Sequence, residues 1–167
     1  MTRVENNTGH CVVLQREFDA PRDLVYAVWT DPEYVALWWG IEEATIPRCH
    51  IDLRPGGAWH IDMLTASGAL FPNRGEFREV VPGRRLVYTD VLDPHSPVAA
   101  FSRRGPFLCT VEFEDFGTSQ TRVILTITAE NPNDLPAAMK QGMSQGIGQS
   151  LDKLARLLAT LPTRTRK

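Results

Sequence analysis

An α+β fold, in which an antiparallel sheet of about seven strands is covered by a long C-terminal helix, is what this 167-residue sequence predicts. Three observations point to it. From about residue 43 to 128 the apolar residues recur at period two, as in strands with one buried and one wet face. Pro55-Gly56-Gly57, Pro82-Gly83 and Asp115-Phe116-Gly117 put turn chemistry between those runs, which favours hairpins over crossover helices. From about Leu135 to Leu161 the period lengthens: Met139, Met143, Ile147, Leu151, Leu154, Leu158 and Leu161 follow at steps of three and four, an amphipathic helix.

In chain order, HCVVLQREF (10–18) is rich in Val and Leu and reads as the first strand, ending at Asp19-Ala20-Pro21, where the proline opens a helix. In PRDLVYAVWT, Leu24, Ala27 and Val28 recur at helical spacing, Asp23 sits in the acid-favouring first turn, and Asp31-Pro32 stops the helix. PEYVALWW makes a second short helix running to Gly40. A meander of about six strands follows. Its alternating sets are Ile51 and Leu53, then Trp59, Ile61 and Met63, then Leu86, Tyr88 and Leu92, then Phe107, Cys109, Val111 and Phe113, and lastly Val123, Leu125 and Ile127. The final helix needs cover for its stripe, and the sheet supplies it. Within it Gly142, Gly146 and Ser150 form a small-residue strip, which reads equally as close helix-to-sheet packing or as room for a ligand.

Composition narrows the function. The 43% apolar content and the near-neutral charge of −2 suit one ordinary globular domain, expected over 10–161 with flexible ends at 1–9 and 162–167. A basic excess for binding nucleic acid is lacking, and no apolar run is long enough for membrane insertion. The first ten residues lack the apolar stretch of a signal peptide, so a cytoplasmic location is expected. Cys11, Cys49 and Cys109 are too widely spaced for a disulfide framework or a Cys-x-x-Cys site. His10, His50, His60 and His95 have no metal-ligand spacing, and phosphate loops, dinucleotide fingerprints and nucleophile elbows are missing, so no metal, no cofactor and no catalytic residue is assigned.

Four blocks, REFDAPRDLVYAVWTDPEYVALWWG, IDLRPGGAWHIDM, NRGEFREVVPGRRLVYTD and MSQGIGQSLDKLARLLA, resemble in order and spacing the family similar to the C-terminal domain of the heat-shock-protein-90 ATPase activator. The resemblance covers roughly residues 10 to 161. It implies the START-like helix-grip fold, in which a curved sheet wraps the last helix and encloses a cavity. Ile147 stands where the family often has Trp, and the stretch 93–105 looks longer than the usual hairpin connection, so it is a candidate lid.

A helix-grip cavity is lined by the concave sheet face, the last helix and the mouth. On the strands this marks Trp59, Ile61, Met63, Phe71, Phe77, Tyr88, Cys109, Val111 and Leu125. On the helix it marks Met139, Met143 and Ile147, adaptable apolar walls, and at the mouth Trp39. Trp38-Trp39 reads as a hydrophobic gate or as the anchor of the small helices. Asp90, inward by alternation, is the most informative polar candidate, either a desolvated carboxylate or one turned to solvent at a strand end. Arg74, Arg78, Arg103 and Arg104 read as a mouth for an acidic head group or as a solvated strand face. The expected function is binding of a small apolar or amphipathic molecule. The alternatives are a cofactor-free, cyclase-like enzyme acting on an aromatic or polyketide-like substrate and, from the resemblance alone, a regulator of the heat-shock ATPase in the stress response. Whether two chains pair as a homodimer is left open.

Overall fold

The computed structural model describes residues 3–7, 11–93, 106–131 and 143–162. Its elements in chain order are β1 (Arg3–Asn7), β2 (Cys11–Phe18), α1 (Arg22–Thr30), α2 (Pro32–Trp38), β3 (Thr45–Ile51), β4 (Ala58–Leu64), β5 (Leu70–Val81), β6 (Arg85–Leu92), β7 (Phe107–Phe116), β8 (Gln120–Ala129) and α3 (Met143–Thr160). The strands form one antiparallel sheet in the order β1-β2-β8-β7-β6-β5-β4-β3. The meander from β3 to β8 is the expected one. One strand was not foreseen: residues 1–9 read as a flexible end, yet Arg3–Asn7 pair with Cys11–Gln15. Its sequence RVENN has no apolar alternation, and backbone pairing at the open edge of β2 supports it instead.

Local chemistry explains the helical boundaries. Pro21 precedes α1, and Asp31 both ends α1 and caps α2, its Oδ1 accepting from the Glu33 N–H at 3.0 Å with Pro32 behind it. Trp38 is buried and its indole N–H donates to the Val28 carbonyl at 3.0 Å, which fastens α2 to α1. Thr121, fully buried on β8, donates to the Ala20 carbonyl at 2.7 Å and ties the β2–α1 turn to the sheet. At the far edge Pro47 falls where the β3–β4 register shifts, a position that tolerates its missing N–H.

The core lies between the inner sheet face and α3. Leu151, Leu154 and Leu158 of α3 are buried in one cluster with Val12, Leu14, Val111 and Val123. Met143 and Ile147, nearer the start of the helix, are only partly covered. The part of the expected helix before Met143, with Met139 and Gly142, lies outside the described residues, as does the candidate lid beyond Asp93 up to residue 105.

Leu154 is fully buried and Leu37 is 62% exposed. Leu154→Ala is expected to lower unfolding free energy in urea by about 2–5 kcal/mol, and Leu37→Ala to change it by no more than about 0.5 kcal/mol.

Candidate functional site: a cavity beneath the C-terminal helix

The sheet wall follows from alternation and register. Tyr88 and Asp90 of β6 pair with Cys109 and Phe107 of β7, and those two pair with Ile127 and Ala129 of β8. Tyr88, Asp90, Phe107, Cys109, Leu125 and Ile127 thereby share the face beneath α3 and line a cavity of about 290 Å³. That volume is close to the lower bound, roughly 300 Å³, of small-molecule pockets. From the helix come Met143, Gly146, Ile147, Ser150 and Leu151, spaced as one helical face. The third wall is the end of α2 and the loop after it, Trp38 to Ile41, with Trp29 behind and Met63 and Asn73 at the β4–β5 side.

Polar bonds from α3 hold that loop wall in place. Ser150 Oγ donates to the Gly40 carbonyl at 2.9 Å, and Lys153 Nζ donates to the Trp39 and Ile41 carbonyls at 3.2 and 3.1 Å. The Glu42 N–H donates to Gln149 Oε1 at 2.9 Å, and Arg156 pairs with the Glu42 carboxylate. Partial burial lowers the Lys153 pKa from its ordinary value, the neighbouring Glu42 opposing that shift. Gly40 has φ +89°, and a Cβ there would come within 2.7 Å of Met63 Sδ, so only glycine lets the loop turn against the cavity wall.

Beside the cavity sits a second void of only about 30 Å³, lined in part by Trp39, Trp59, Ile61, Phe77 and Tyr88. Rings fill it: Trp39 to Trp59, Trp59 to Tyr88 and Phe77 to Tyr88 have centroids 5.9, 5.7 and 6.0 Å apart. The Trp59 indole N–H donates to the Thr89 carbonyl at 3.0 Å, crossing β5 at Gly75, where an added Cβ would lie 2.4 Å from that nitrogen.

The fourteen residues singled out from sequence therefore separate. Trp39, Met63, Tyr88 and Asp90 line the main cavity, as do Cys109, Leu125, Met143 and Ile147. Trp59, Ile61 and Phe77 do not line it; aromatic packing closes their section of the same face into the small void. Val111 is fully buried in the core with Leu154 and Leu158, so that part of the sheet has no space above it. Phe71, half-buried opposite Met63 near the β4–β5 turn, lines neither space. Met139 lies outside the described residues. Trp38 is an anchor and Trp39 a wall, so the two readings of that pair apply to different rings.

Several lining residues were not singled out from sequence. Phe107 and Ile127 sit on the same alternation as Cys109 and Leu125, so their signal was present. Asn73 is a polar residue two and four positions before Gly75 and Phe77, on the inward face, and the criterion that marked Asp90 applies to it as well. Trp29, Gly40 and Ile41 reach the site only through tertiary contact.

Outside the cavity the charged candidates pair locally. Arg74 lies 3.6 Å from Asp93, Arg78 lies 3.8 Å from Glu76, and His60 Nε2 lies 2.7 Å from Asp62. Arg103 and Arg104 lie outside the described residues. Among the described residues no group of three His, Cys, Asp or Glu is placed to hold a metal ion, and no helix is long and apolar enough to cross a membrane. Burial pushes the Cys49 thiol up to about 11, with Asp31 adding to the shift, which leaves little thiolate for chemistry.

The family model for activator of Hsp90 ATPase homolog 1-like protein matches residues 19–159. A Nitrosomonas europaea protein of solved structure is 26% identical with a TM-score of 0.79, covering 92% of this chain and 97% of that one. The AHSA1 protein of Silicibacter pomeroyi is 25% identical with a TM-score of 0.73, over 89% of this chain and 97% of its own. A Rhodobacter sphaeroides protein at 16% identity shares the fold, with a TM-score of 0.84 over 96% of this chain and 100% of its own. No curated protein matches.

Burial raises the Tyr88 phenol well above 10.0, with Cys109 and Asp90 adding to the shift. The unfolded chain therefore releases this proton first, so the stability Tyr88 contributes is complete below about pH 10 and is lost as pH rises beyond it. Lys153, shifted down, works in the opposite sense. Urea midpoints are expected to fall between about pH 9 and pH 11 in the wild type and to fall less in Tyr88→Phe.

Proposed function

The chain belongs to the activator of Hsp90 ATPase homolog 1-like family, and we propose that it binds a small apolar or amphipathic molecule in the cavity between the sheet and α3. The observation that carries this reading is the cavity of about 290 Å³ at the place where Gly146 and Ser150 stand beside the apolar helix stripe. Its walls are aromatic rings and two methionines, with few polar groups at one end, which suits an adaptable apolar site. A ligand the size of one aromatic side chain buries about 200 Å². At about 25 cal/mol per Å² that contributes about 5 kcal/mol of gross burial energy, against which the cost of immobilising the ligand is set.

The enzyme reading retains one supporting observation, since Tyr88 and Asp90 both line the cavity. Two others favour binding. The raised phenol of Tyr88 stays protonated at neutral pH and is no base, which leaves Asp90 as the acid/base candidate of the described lining, and most of the remaining wall is apolar.

Ile147→Trp fills the cavity from the helix side. Native mass spectrometry and calorimetry with a panel of small aromatic and short-chain apolar molecules are expected to show one-to-one binding to the wild type. In Ile147→Trp the affinity is expected to fall about tenfold or more with the melting temperature kept. Absence of binding across the panel, or equal affinity in the variant, would overturn the reading.

A further inference from the structure

On the side facing β4 the cavity stops at a ring. Trp29, Trp39 and Tyr88 line both the cavity of about 290 Å³ and the void of about 30 Å³ beside it, so the two spaces meet across these three side chains. Tyr88 belongs to the floor that the sheet lays beneath both, since it pairs with Phe77 on the side of the void and with Cys109 on the side of the cavity. Trp29 belongs to the core behind, 7% exposed and packed against Trp38 and Phe113 at centroid distances of 4.9 and 5.7 Å. That leaves Trp39 as the ring standing between the spaces.

Its backbone is held from two sides. The Trp39 N–H donates to the Val35 carbonyl at 2.9 Å where α2 ends, and the Trp39 carbonyl accepts from Lys153 Nζ of α3 at 3.2 Å. The ring lies 5.9 Å from Trp38, a cavity residue, and 5.9 Å from Trp59, which lines the void but not the cavity. Past the ring the surface is mostly apolar: Ile51, Ile61, Phe77 and Leu86 line the void and not the cavity. An apolar space opened by truncating a side chain stays dry and takes apolar molecules.

Resting on the cavity reading above, we propose that Trp39 is the residue that sets ligand length. Its ring confines the occupant to a short body, and its removal joins the void to the cavity and admits a longer apolar chain.

Straight-chain primary alcohols from butanol to decanol, titrated calorimetrically into the full chain, read that length. Each buried methylene is expected to tighten binding to the wild type about fourfold until the chain meets Trp39, beyond which affinity levels off. In Trp39→Ala the levelling is expected about two or more methylenes later, so the longer alcohols bind about tenfold or more tighter than to the wild type. Adding Ile51→Phe, which narrows the void from β3, is expected to return the levelling to its wild-type length. Melting temperatures verify that each variant folds, and Trp39→Phe, a milder truncation with a smaller shift of the same sign, carries the test where Trp39→Ala does not fold. Affinity that climbs through decanol in the wild type, levelling at the wild-type length in a folded Trp39 variant, or a later levelling that Ile51→Phe leaves in place overturns this proposal while leaving the cavity reading standing. Failure of every alcohol to bind overturns both.

Discussion

Leu151, Leu154 and Leu158 close the C-terminal half of α3 against the inner sheet face, while Gly146 and Ser150 in the preceding turns are too small to do the same. The cavity exists because one helix carries both halves: the leucines hold it at a fixed height above the sheet, and the smaller residues cannot reach across that height. A glycine in a helix costs on the order of 1 kcal/mol relative to alanine. At Gly146 a Cβ would meet Ile41 at 3.7 Å, an ordinary contact, so packing against the loop does not by itself require glycine there. Of the two readings of the small-residue strip, room beside the cavity is therefore the one that fits Gly146. Gly148 has open space around it, and nothing in the structure explains its lack of a side chain.

The same helix face also fixes the loop that forms the third wall. Ser150 and Lys153 donate to three successive carbonyls, those of Trp39, Gly40 and Ile41, and Gln149 accepts from the next N–H but one along the chain from Gly40. These are backbone groups left over where α2 ends, and a helix end needs such partners when it is covered. The lowered pKa of Lys153 records the desolvation spent in reaching them. Trp39 is held in the wall by these bonds and Trp38 by its own bond to Val28, so two adjacent tryptophans with the same local sequence environment serve different ends.

Periodicity carried the fold and about half of the site. The direction of each β6 and β7 side chain was legible because alternation has a strict period of two, and this is why Tyr88, Asp90 and Cys109 reach the cavity as expected. Facing inward is not the same as facing space. Trp59, Ile61 and Phe77 face inward too, but ring volume summed over four elements fills their section, and no one-dimensional pattern contains that sum. Val111 fails for the same reason, with Leu154 and Leu158 in its core cluster. Ile41 and Gly40 were illegible because their place depends on residues about a hundred positions later in the chain. The edge strand β1 was missed because backbone pairing, the interaction that forms it, leaves no trace in side-chain pattern.

Size and polarity together limit what the described walls can hold. A cavity of about 290 Å³ lies close to the roughly 300 Å³ lower bound of small-molecule pockets, which fits a small ligand. Water is a poor occupant for most of that space, because the helix side offers methionine, isoleucine and leucine surface and each water needs two to four polar partners. At the β5 and β6 end the lining is mixed, with Asn73, Tyr88 and Asp90 beside the rings. The two sides of the site therefore differ: the helix side offers an apolar surface that fits a ligand by shape, and the strand side carries the polar groups of Asn73, Tyr88 and Asp90.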